Sequence, residues 1–344
     1  MLLFFIIIIS IFLMMLILLF IISIVFRKSV LGHRYDDNGT LHYFSVDDFE
    51  GLKSKNVKFK SEKYNLSGAF YYTDNLTPSG IIVFAHGIGV GHIQYMTEID
   101  YLVKHGFLVF AYDTRGCFNS EGKGIAFFQK GIIDLNNAIS FVKSYKSLEK
   151  YKVFLFGHSM GAYCVNNISY FRNDIDGIVS MSGFNSSIGL YKDFISEALP
   201  KYGKMFACLL KIEELFRLGK MSKINSIDSL KNTSIPTLLI SGDKDNVVNA
   251  QNNFMTFKSE LSSNSKIEFY LVNDRYHRPN LTIEAAEYEQ EVNRELLEMN
   301  QKYKNNIPDE EKTKMYNSFD YNKLVEMDEF VMQKIISFFY KNSF

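Results

Sequence analysis

The pattern of the chain begins with a long run of apolar side chains. Residues 2–25 read LLFFIIIISIFLMMLILLFIISIV, and only two serines interrupt them. At about 1.5 Å per residue, a helix over this run can cross the roughly 30 Å hydrocarbon core of a bilayer. The run lacks the basic start and the small-residue cleavage site of a secretory signal peptide. We therefore expect residues 1–26 to form an uncleaved transmembrane anchor that contacts the bilayer through residues 2–25.

Beyond residue 56 the hydrophobic positions fall into short groups. Val57–Lys63 alternates apolar and polar side chains, as a half-buried strand does, and Ser67–Tyr72 could pair with it in a hairpin. Continuous apolar runs follow at residues 81–84, 108–112, 153–156, 177–181 and 237–240. Such runs are typical of strands covered on both faces, and helical stretches lie between them. The pattern predicts an α/β fold with a mostly parallel central sheet and helices on both faces.

The same pattern suggests how the chain is divided. Residues 27–56 are polar and mixed, as in a stalk or lead-in, and residues 57–344 suit one large domain. Residues 185–232, between two strands, carry apolar positions that suit a small helical cap. An insertion at about residues 281–325 is rich in glutamate and has a helical pattern near its start. We expect this insertion either to cover the site or to be a solvated excursion.

Composition and charge narrow the range of possible functions. The 38 basic and 38 acidic side chains give a net charge of zero, without the basic face of a nucleic-acid binder. Three scattered cysteines without a CxxC pair favour neither a disulfide framework nor a zinc ribbon. Arg27, Lys28 and Arg34 follow the apolar run, so the positive-inside rule favours a single-pass membrane protein with its domain in the cytoplasm.

A serine motif provides candidate chemistry. The apolar strand at residues 153–156 runs into Gly157-His158-Ser159-Met160-Gly161, and a helical segment follows. This is G-x-S-x-G between a strand and a helix, where a tight turn exposes the serine and small residues flank it. The next amides begin a helix and can stabilise an oxyanion. We predict that Ser159 is a nucleophile.

A nucleophilic serine needs a base and an acid. In this arrangement both follow the serine along the chain, and His277 is the only histidine after Ser159. Asp243 and Asp245 follow the strand at residues 237–240, and Asp274 lies close to His277 in sequence. We favour Asp245, because its place further into the loop lets it reach back to the histidine, and we keep the other two as alternatives.

A glycine-rich loop is the candidate second half of an oxyanion hole. Residues 86–91 read HGIGVG after a strand, and we assign the amides of Ile88 and Met160 to the hole. A dinucleotide fingerprint would need glycine at position 92, where His92 stands. No phosphate-binding loop or metalloprotease motif occurs, so we expect neither a cofactor nor a metal.

These motifs resemble the α/β-hydrolase superfamily, and within it the monoglyceride-lipase-like and serine-aminopeptidase-like (S33) hydrolases. The resemblance covers roughly residues 57–280 and a final helix near residues 327–340. The matching motifs, in chain order, are His86-Gly87, Asp113-Thr114-Arg115-Gly116 with Ser120 and Gly122, the Ser159 motif, and Pro236 with Gly242-Asp243-Lys244-Asp245. The family's acid lies three residues after that glycine, which supports Asp245.

The chain departs from the family pattern at three places. Cys117-Phe118-Asn119 replaces the usual x-Gly-x between the Arg-Gly pair and the serine of that motif. Tyr276 precedes His277, where the family usually has glycine. The third departure is the insertion at residues 281–325, where the family is usually short.

The resemblance implies an esterase or a related enzyme. We expect a membrane-anchored serine hydrolase that cleaves small-molecule carboxylic esters, with lipid-like esters such as monoacylglycerols or lysophospholipids as candidates. An aminopeptidase is an alternative, and Glu213 and Glu214 of the cap could then bind the substrate amine. A non-catalytic membrane scaffold is a second alternative, and the sequence indicates no particular protein partner.

Overall fold

The computed structural model describes residues 1–37, 42–74, 77–198, 201–304 and 306–343, except for the side chains of Leu2, Glu197 and Ala198. Residues 38–41, 199–200 and 305, which belong to the expected lead-in, cap and insertion, therefore lie outside the description. The centre of the molecule is an eight-stranded sheet in the order β1-β2-β4-β3-β5-β6-β7-β8. Its strands are β1 (Lys53–Ser61), β2 (Tyr64–Tyr72), β3 (Gly80–Ala85), β4 (Phe107–Tyr112), β5 (Val153–His158), β6 (Gly177–Met181), β7 (Thr237–Gly242) and β8 (Ile267–Val272).

Helices precede, connect and follow these strands. They are α1 (Leu2–Leu31), α2 (Met96–Lys104), α3 (Phe128–Lys143), α4 (Met160–Asn166), α5 (Ser187–Ala198), α6 (Gly203–Leu218), α7 (Ser226–Lys231), α8 (Phe254–Leu261), α9 (Ile283–Lys302), α10 (Asp309–Asn317), α11 (Tyr321–Leu324) and α12 (Glu329–Ser343). The strand β2 is antiparallel to both of its neighbours, β1 and β4. The remaining strands, β4, β3, β5, β6, β7 and β8 in spatial order, are parallel to one another. This architecture confirms the predicted fold class, with α5, α6 and α7 in the cap region.

The continuous apolar runs are explained by two cores, one on each face of the sheet. In β3, Ile81 and Val83 join the core that contains α3 and α4, whereas Ile82 and Phe84 join the core that contains α2 and α12. Successive side chains of a strand point to opposite faces, so a strand covered on both faces needs apolar residues throughout. The parallel strands bring their carboxyl ends to one edge, where a binding site is expected.

The apolar helix α1 continues past residue 26 and joins the domain. It is the one helix in the described part of the chain that is long and apolar enough to cross a membrane. The side chains of residues 3–18 are exposed, whereas Ser23, Arg27 and Leu31 are buried at intervals of four residues. Such spacing places them on one face of the helix, and α1 packs there against α6 of the cap.

A buried ion pair joins α1 to the cap. The Nη2 and Nε atoms of Arg27 donate to the Glu213 carboxylate over 2.7 Å and 2.9 Å. Its Nη1 donates to the Ala126 carbonyl oxygen over 2.7 Å, and its guanidinium lies 4.2 Å from the centre of the Phe127 ring. Because both charged side chains are buried, removing one partner would leave the other charge uncompensated, so this contact fixes how α1 meets the cap.

The lead-in begins with a segment held by the domain. Arg34 donates hydrogen bonds to the carbonyl oxygens of Phe118, Ser120 and Gly122. The amide of Tyr35 donates to Gly116, and the amide of Phe118 donates back to Tyr35. The loop in which Cys117-Phe118-Asn119 departs from the family pattern is therefore the loop that holds the lead-in.

The insertion leaves the domain and returns to it at one place. Leu281 and Met327 form an antiparallel bridge, and the Thr282 amide donates to Glu326 over 3.0 Å. Helices α9, α10 and α11 lie between these points. Arg278, next to the predicted base, lies 3.6 Å from Glu289 of α9, so the insertion contacts the loop that carries His277.

Glu214 makes the stability of the cap depend on pH. Its carboxylate accepts hydrogen bonds from Ser187 and Gln129, but burial raises its pKa from 4.5 to about 7. Between these values the unfolded chain loses the proton first, so the stability from this group falls as the pH rises towards 7. We expect Glu214→Gln to raise the free energy of unfolding, by up to about 3 kcal/mol more at pH 8 than at pH 5.

The measurement is denaturant unfolding of the full chain in detergent at both pH values. Glu260→Gln, which changes an exposed glutamate of α8, is the matched control. An equal effect of Glu214→Gln at pH 5 and pH 8 would contradict the prediction.

Candidate active site

Ser159 occupies the sharp turn between β5 and α4. Its φ of 56° and ψ of −114° are unusual for a residue with a side chain, and strained backbones of this kind cluster at functional sites. The Ser159 amide donates to the Met181 carbonyl oxygen over 2.9 Å, and the Ser159 carbonyl accepts from Tyr163 over 3.0 Å. The turn is therefore fixed on both sides, by β6 and by the first hydrogen bond of α4.

The two glycines of the motif allow backbone to touch backbone. A Cβ atom on Gly157 would overlap the carbonyl group of Gly161, and a Cβ atom on Gly161 would overlap the Ala85 carbonyl at the end of β3. The turn packs directly against the neighbouring strand, so no larger residue fits at either position.

Asp245 and His277 meet at the same edge of the sheet. The Nδ1 atom of His277 lies 2.9 Å from Asp245 Oδ2 and 3.1 Å from Oδ1. The amides of Val247 and Val248 donate to Oδ1 of the buried Asp245, over 3.0 Å and 2.8 Å. These bonds fix the carboxylate and make Nδ1 the protonated nitrogen, which leaves Nε2 of His277 available to accept a proton.

The two alternative aspartates lie elsewhere. Asp274 is exposed and pairs with Lys244 at 2.7 Å, whereas Asp243 accepts a hydrogen bond from the Arg275 amide over 3.3 Å. The structure thus brings Asp245, and neither alternative, to His277.

A third glycine brings the end of β7 and the loop that carries His277 together. A Cβ atom on Gly242, the last residue of β7, would overlap the carbonyl oxygens of Arg275 and Tyr276. Only glycine permits this approach, and it places Asp245 within reach of His277. Tyr276, where the family has glycine, contributes its backbone to this contact.

His277 contacts the turn of Ser159 through His158, and the described residues show no direct hydrogen bond between the serine and His277. Among the described residues, neither the Ser159 hydroxyl nor Nε2 of His277 has a hydrogen-bond partner. The rings of His277 and His158, the residue before Ser159, have their centres 4.8 Å apart. Hydrogen bonds between catalytic groups are often long without a substrate and tighten when one binds.

The loop after β3 lies beside the serine. A Cβ atom on Gly87 would lie 3.5 Å from Ser159 Cβ, and Ile88 follows directly. Met160 is the first residue of α4, so its amide has no acceptor within the helix. The two proposed oxyanion donors therefore belong to segments that flank Ser159.

Tyr95 and His158 connect the three loops of the site. The Tyr95 hydroxyl accepts from the Gly87 amide at 3.1 Å and donates to His158 Nδ1 at 2.8 Å. The opposite nitrogen, Nε2, donates to the carbonyl oxygen of His277 at 2.9 Å. Burial lowers the pKa of His158 well below its usual value, and the nearby His277 lowers it further, so the ring is neutral and suits this pattern. Sequence reasoning missed Tyr95, because no motif marks a tyrosine eight residues past a glycine.

The Asp113 motif supports the site without reaching Ser159. Asp113 Oδ1 accepts from the amide and from Nδ1 of His92, over 2.9 Å and 2.7 Å. Arg115 pairs with the buried Asp134 over 2.6 Å and also binds Glu62. His92, which excluded a dinucleotide fingerprint, thus anchors the loop that carries Gly87 and Ile88.

The two cap glutamates are already engaged within the chain. Glu213 pairs with Arg27, and Glu214 accepts from Ser187 and Gln129. Both side chains are buried. Neither carboxylate is exposed to bind a substrate amine.

Comparisons with known proteins agree with this architecture. The model of the serine aminopeptidase S33 family matches residues 77–209, under half of the chain. The match includes Ile88, Ser159 and Met160 and ends before Asp245 and His277. No curated protein matches the chain in sequence.

Solved structures share the fold at low sequence identity. An esterase from Pyrococcus furiosus, Pf2001, has a TM-score of 0.54 and 20% identity, over 75% of this chain and 94% of that chain. The α/β hydrolase GrgF from Penicillium sp. sh18 has a TM-score of 0.50 and 14% identity, over 72% of this chain and 98% of that chain. Together with the strand order and the serine turn, these likenesses show that the chain has the α/β-hydrolase fold.

Proposed function

We propose that the protein is a membrane-anchored serine hydrolase that cleaves carboxylic esters. The observation that carries the proposal is the hydrogen bond between Asp245 and His277 beside the strained turn of Ser159. The esterase among the structural neighbours is compatible with this activity, but the proposal depends on the residues of this chain.

The proposed reaction has two halves. His277 Nε2 removes the proton of Ser159 while Oγ attacks the acyl carbon, and the amides of Ile88 and Met160 stabilise the resulting oxyanion. Asp245 holds the imidazole and stabilises its charged form. The alcohol leaves with the proton from His277, and an acyl-enzyme remains on Ser159. Water then gives a proton to His277 and attacks the acyl carbon. The bond from that carbon to Ser159 Oγ breaks, Oγ takes the proton back from His277, and the acid is released.

Lipid-like esters, such as monoacylglycerols or lysophospholipids, are the substrate class that we propose. Support comes from α1, since an apolar helix that packs onto the cap would hold the domain at the surface of a bilayer. The buried contacts of residues 23–31 also favour an anchor that is retained over a signal peptide that is removed. We propose a cytoplasmic domain, because Arg27, Lys28 and Arg34 follow the apolar run.

The alternatives receive less support. An aminopeptidase would need an acidic group open to the substrate amine, and Glu213 and Glu214 are buried with partners of their own. A non-catalytic scaffold would not need an aspartate and a histidine held in hydrogen-bonding contact beside a strained serine.

Covalent labelling tests the nucleophile and the base. We expect the full chain to react with a fluorophosphonate probe, Ser159→Ala to abolish labelling, and His277→Ala to slow it about 100-fold or more. Gel fluorescence against time measures the rate, and hydrolysis of nitrophenyl esters of different chain lengths measures substrate preference. Ser262→Ala, an exposed serine after α8, is the matched control. Failure of the folded wild-type protein to label would overturn the proposal.

Asparagine variants of the three candidate aspartates test which carboxylate supports His277. We expect Asp245→Asn to slow labelling about 100-fold, because the amide no longer selects the His277 tautomer that accepts the serine proton. Asp243→Asn and Asp274→Asn should label at the wild-type rate. A slower reaction in either of these, with Asp245→Asn unchanged, would show that the acid is misassigned.

Tyr95→Phe tests the connection between the loops. The variant leaves the Gly87 amide and His158 Nδ1 without a partner, so we expect the free energy of unfolding to fall by about 1–3 kcal/mol. Labelling of Ser159 should also slow, since the loop that carries Ile88 loses a support. Tyr170→Phe, at an exposed tyrosine, controls for loss of a hydroxyl. Unchanged stability and labelling in Tyr95→Phe would contradict this role.

A further inference from the structure

Helix α6 of the cap carries a large apolar surface that the domain does not cover. Met205, Ile212, Leu215 and Phe216 are exposed, and Phe216 is 81% exposed. Tyr202, just before the helix, is also exposed. Positions 202, 205, 212 and 216 follow at spacings of three, seven and four residues, so they share one face of the helix. Contiguous apolar surfaces of this kind mark sites of protein or membrane contact.

The exposed charges of the segment that carries this face have one sign. Between residues 201 and 223, the exposed charged side chains are all basic: Lys201, Lys204, Arg217, Lys220 and Lys223. The two acids of the segment, Glu213 and Glu214, are buried. Apolar residues bordered by basic side chains fit a bilayer with anionic headgroups, where each basic residue near the surface adds to binding.

The length of α1 that lies outside the domain determines how close α6 comes to the bilayer. Residues 3–18 stand clear of the domain, and at about 1.5 Å per residue they span only about 24 Å of a hydrocarbon core that is roughly 30 Å thick. The apolar run continues to Phe26, and the next residue, Arg27, is paired with Glu213 of α6. A bilayer that covers the whole run therefore reaches the part of α1 that packs against α6.

We propose that the exposed face of α6 lies in the interface of the bilayer that holds α1, with its basic side chains at the lipid phosphates. The proposal rests on the membrane anchoring proposed above and goes beyond it, since an anchor alone would allow the domain to stand away from the lipid. In this proposal lipid covers the surface of α6. The experiment below distinguishes lipid from a second protein bound at the same surface.

The absence of tryptophan from the chain makes the test direct. Phe216→Trp gives the full chain a single tryptophan on α6, and the protein is placed in nanodiscs of phosphatidylcholine and phosphatidylserine with bromine atoms high on the acyl chains. We expect blue-shifted emission and about twofold quenching relative to unbrominated lipid, as for an interfacial helix.

Two further single-tryptophan variants serve as controls. Phe12→Trp reports whether α1 is inserted, and it should be quenched by bromine atoms deep in the acyl chains. Phe330→Trp lies at an 86% exposed position of α12, on the other face of the sheet, and should not be quenched. An unquenched Phe216→Trp with a quenched Phe12→Trp would overturn the proposal and leave the anchor intact. If the emission of Phe216→Trp were then blue-shifted without quenching, the surface would be assigned to contact with protein. An unquenched Phe12→Trp would overturn both the anchor and the proposal.

Discussion

Direct contact of backbone with backbone at the carboxyl edge of the sheet is the constraint on which the site depends. Gly161 abuts the end of β3, and Gly242 abuts the loop that carries His277. A methyl group at either position would push two segments apart, and the distance between Ser159 and its partners would grow with it. The sheet supplies a rigid edge, and the glycines let loops from different strands converge there.

Uncharged hydrogen bonds hold these loops in place. The neutral ring of His158 joins the turn of Ser159 to the loop of His277, and the Tyr95 hydroxyl joins His158 to the loop of Gly87. Because burial keeps His158 neutral, this support persists while His277 changes its charge during the proposed reaction. Charged contacts add to this support, where His92 meets Asp113 and Arg278 meets Glu98.

The sequence is informative where one physical requirement dictates the residues. Strands buried on both faces must be apolar, so the strands of the parallel sheet can be predicted in order, and the turn geometry identifies Ser159. Asp245 can be favoured over Asp243 and Asp274 by its place in the loop, but only the structure separates them. Contacts between distant segments leave no local pattern in the sequence. The ion pair of Arg27 with Glu213 is an example, because Arg27 reads as a basic residue that flanks an apolar run and Glu213 as a surface residue of the cap. The hydrogen bonds from Arg34 to the loop at residues 118–122 cannot be predicted from the sequence for the same reason.

The burial of Arg27 and Leu31 bears on whether the domain could ever be released by proteolysis. A cut after Arg27 would remove the partner of a buried carboxylate, and loss of one member of such a pair costs about 3–5 kcal/mol, a large part of the stability of a typical domain. A cut ahead of Ser23 would spare the ion pair but leave an apolar stub beside the cap. For the proposed anchor, removal of α1 together with Arg27 and loss of domain stability are thus coupled.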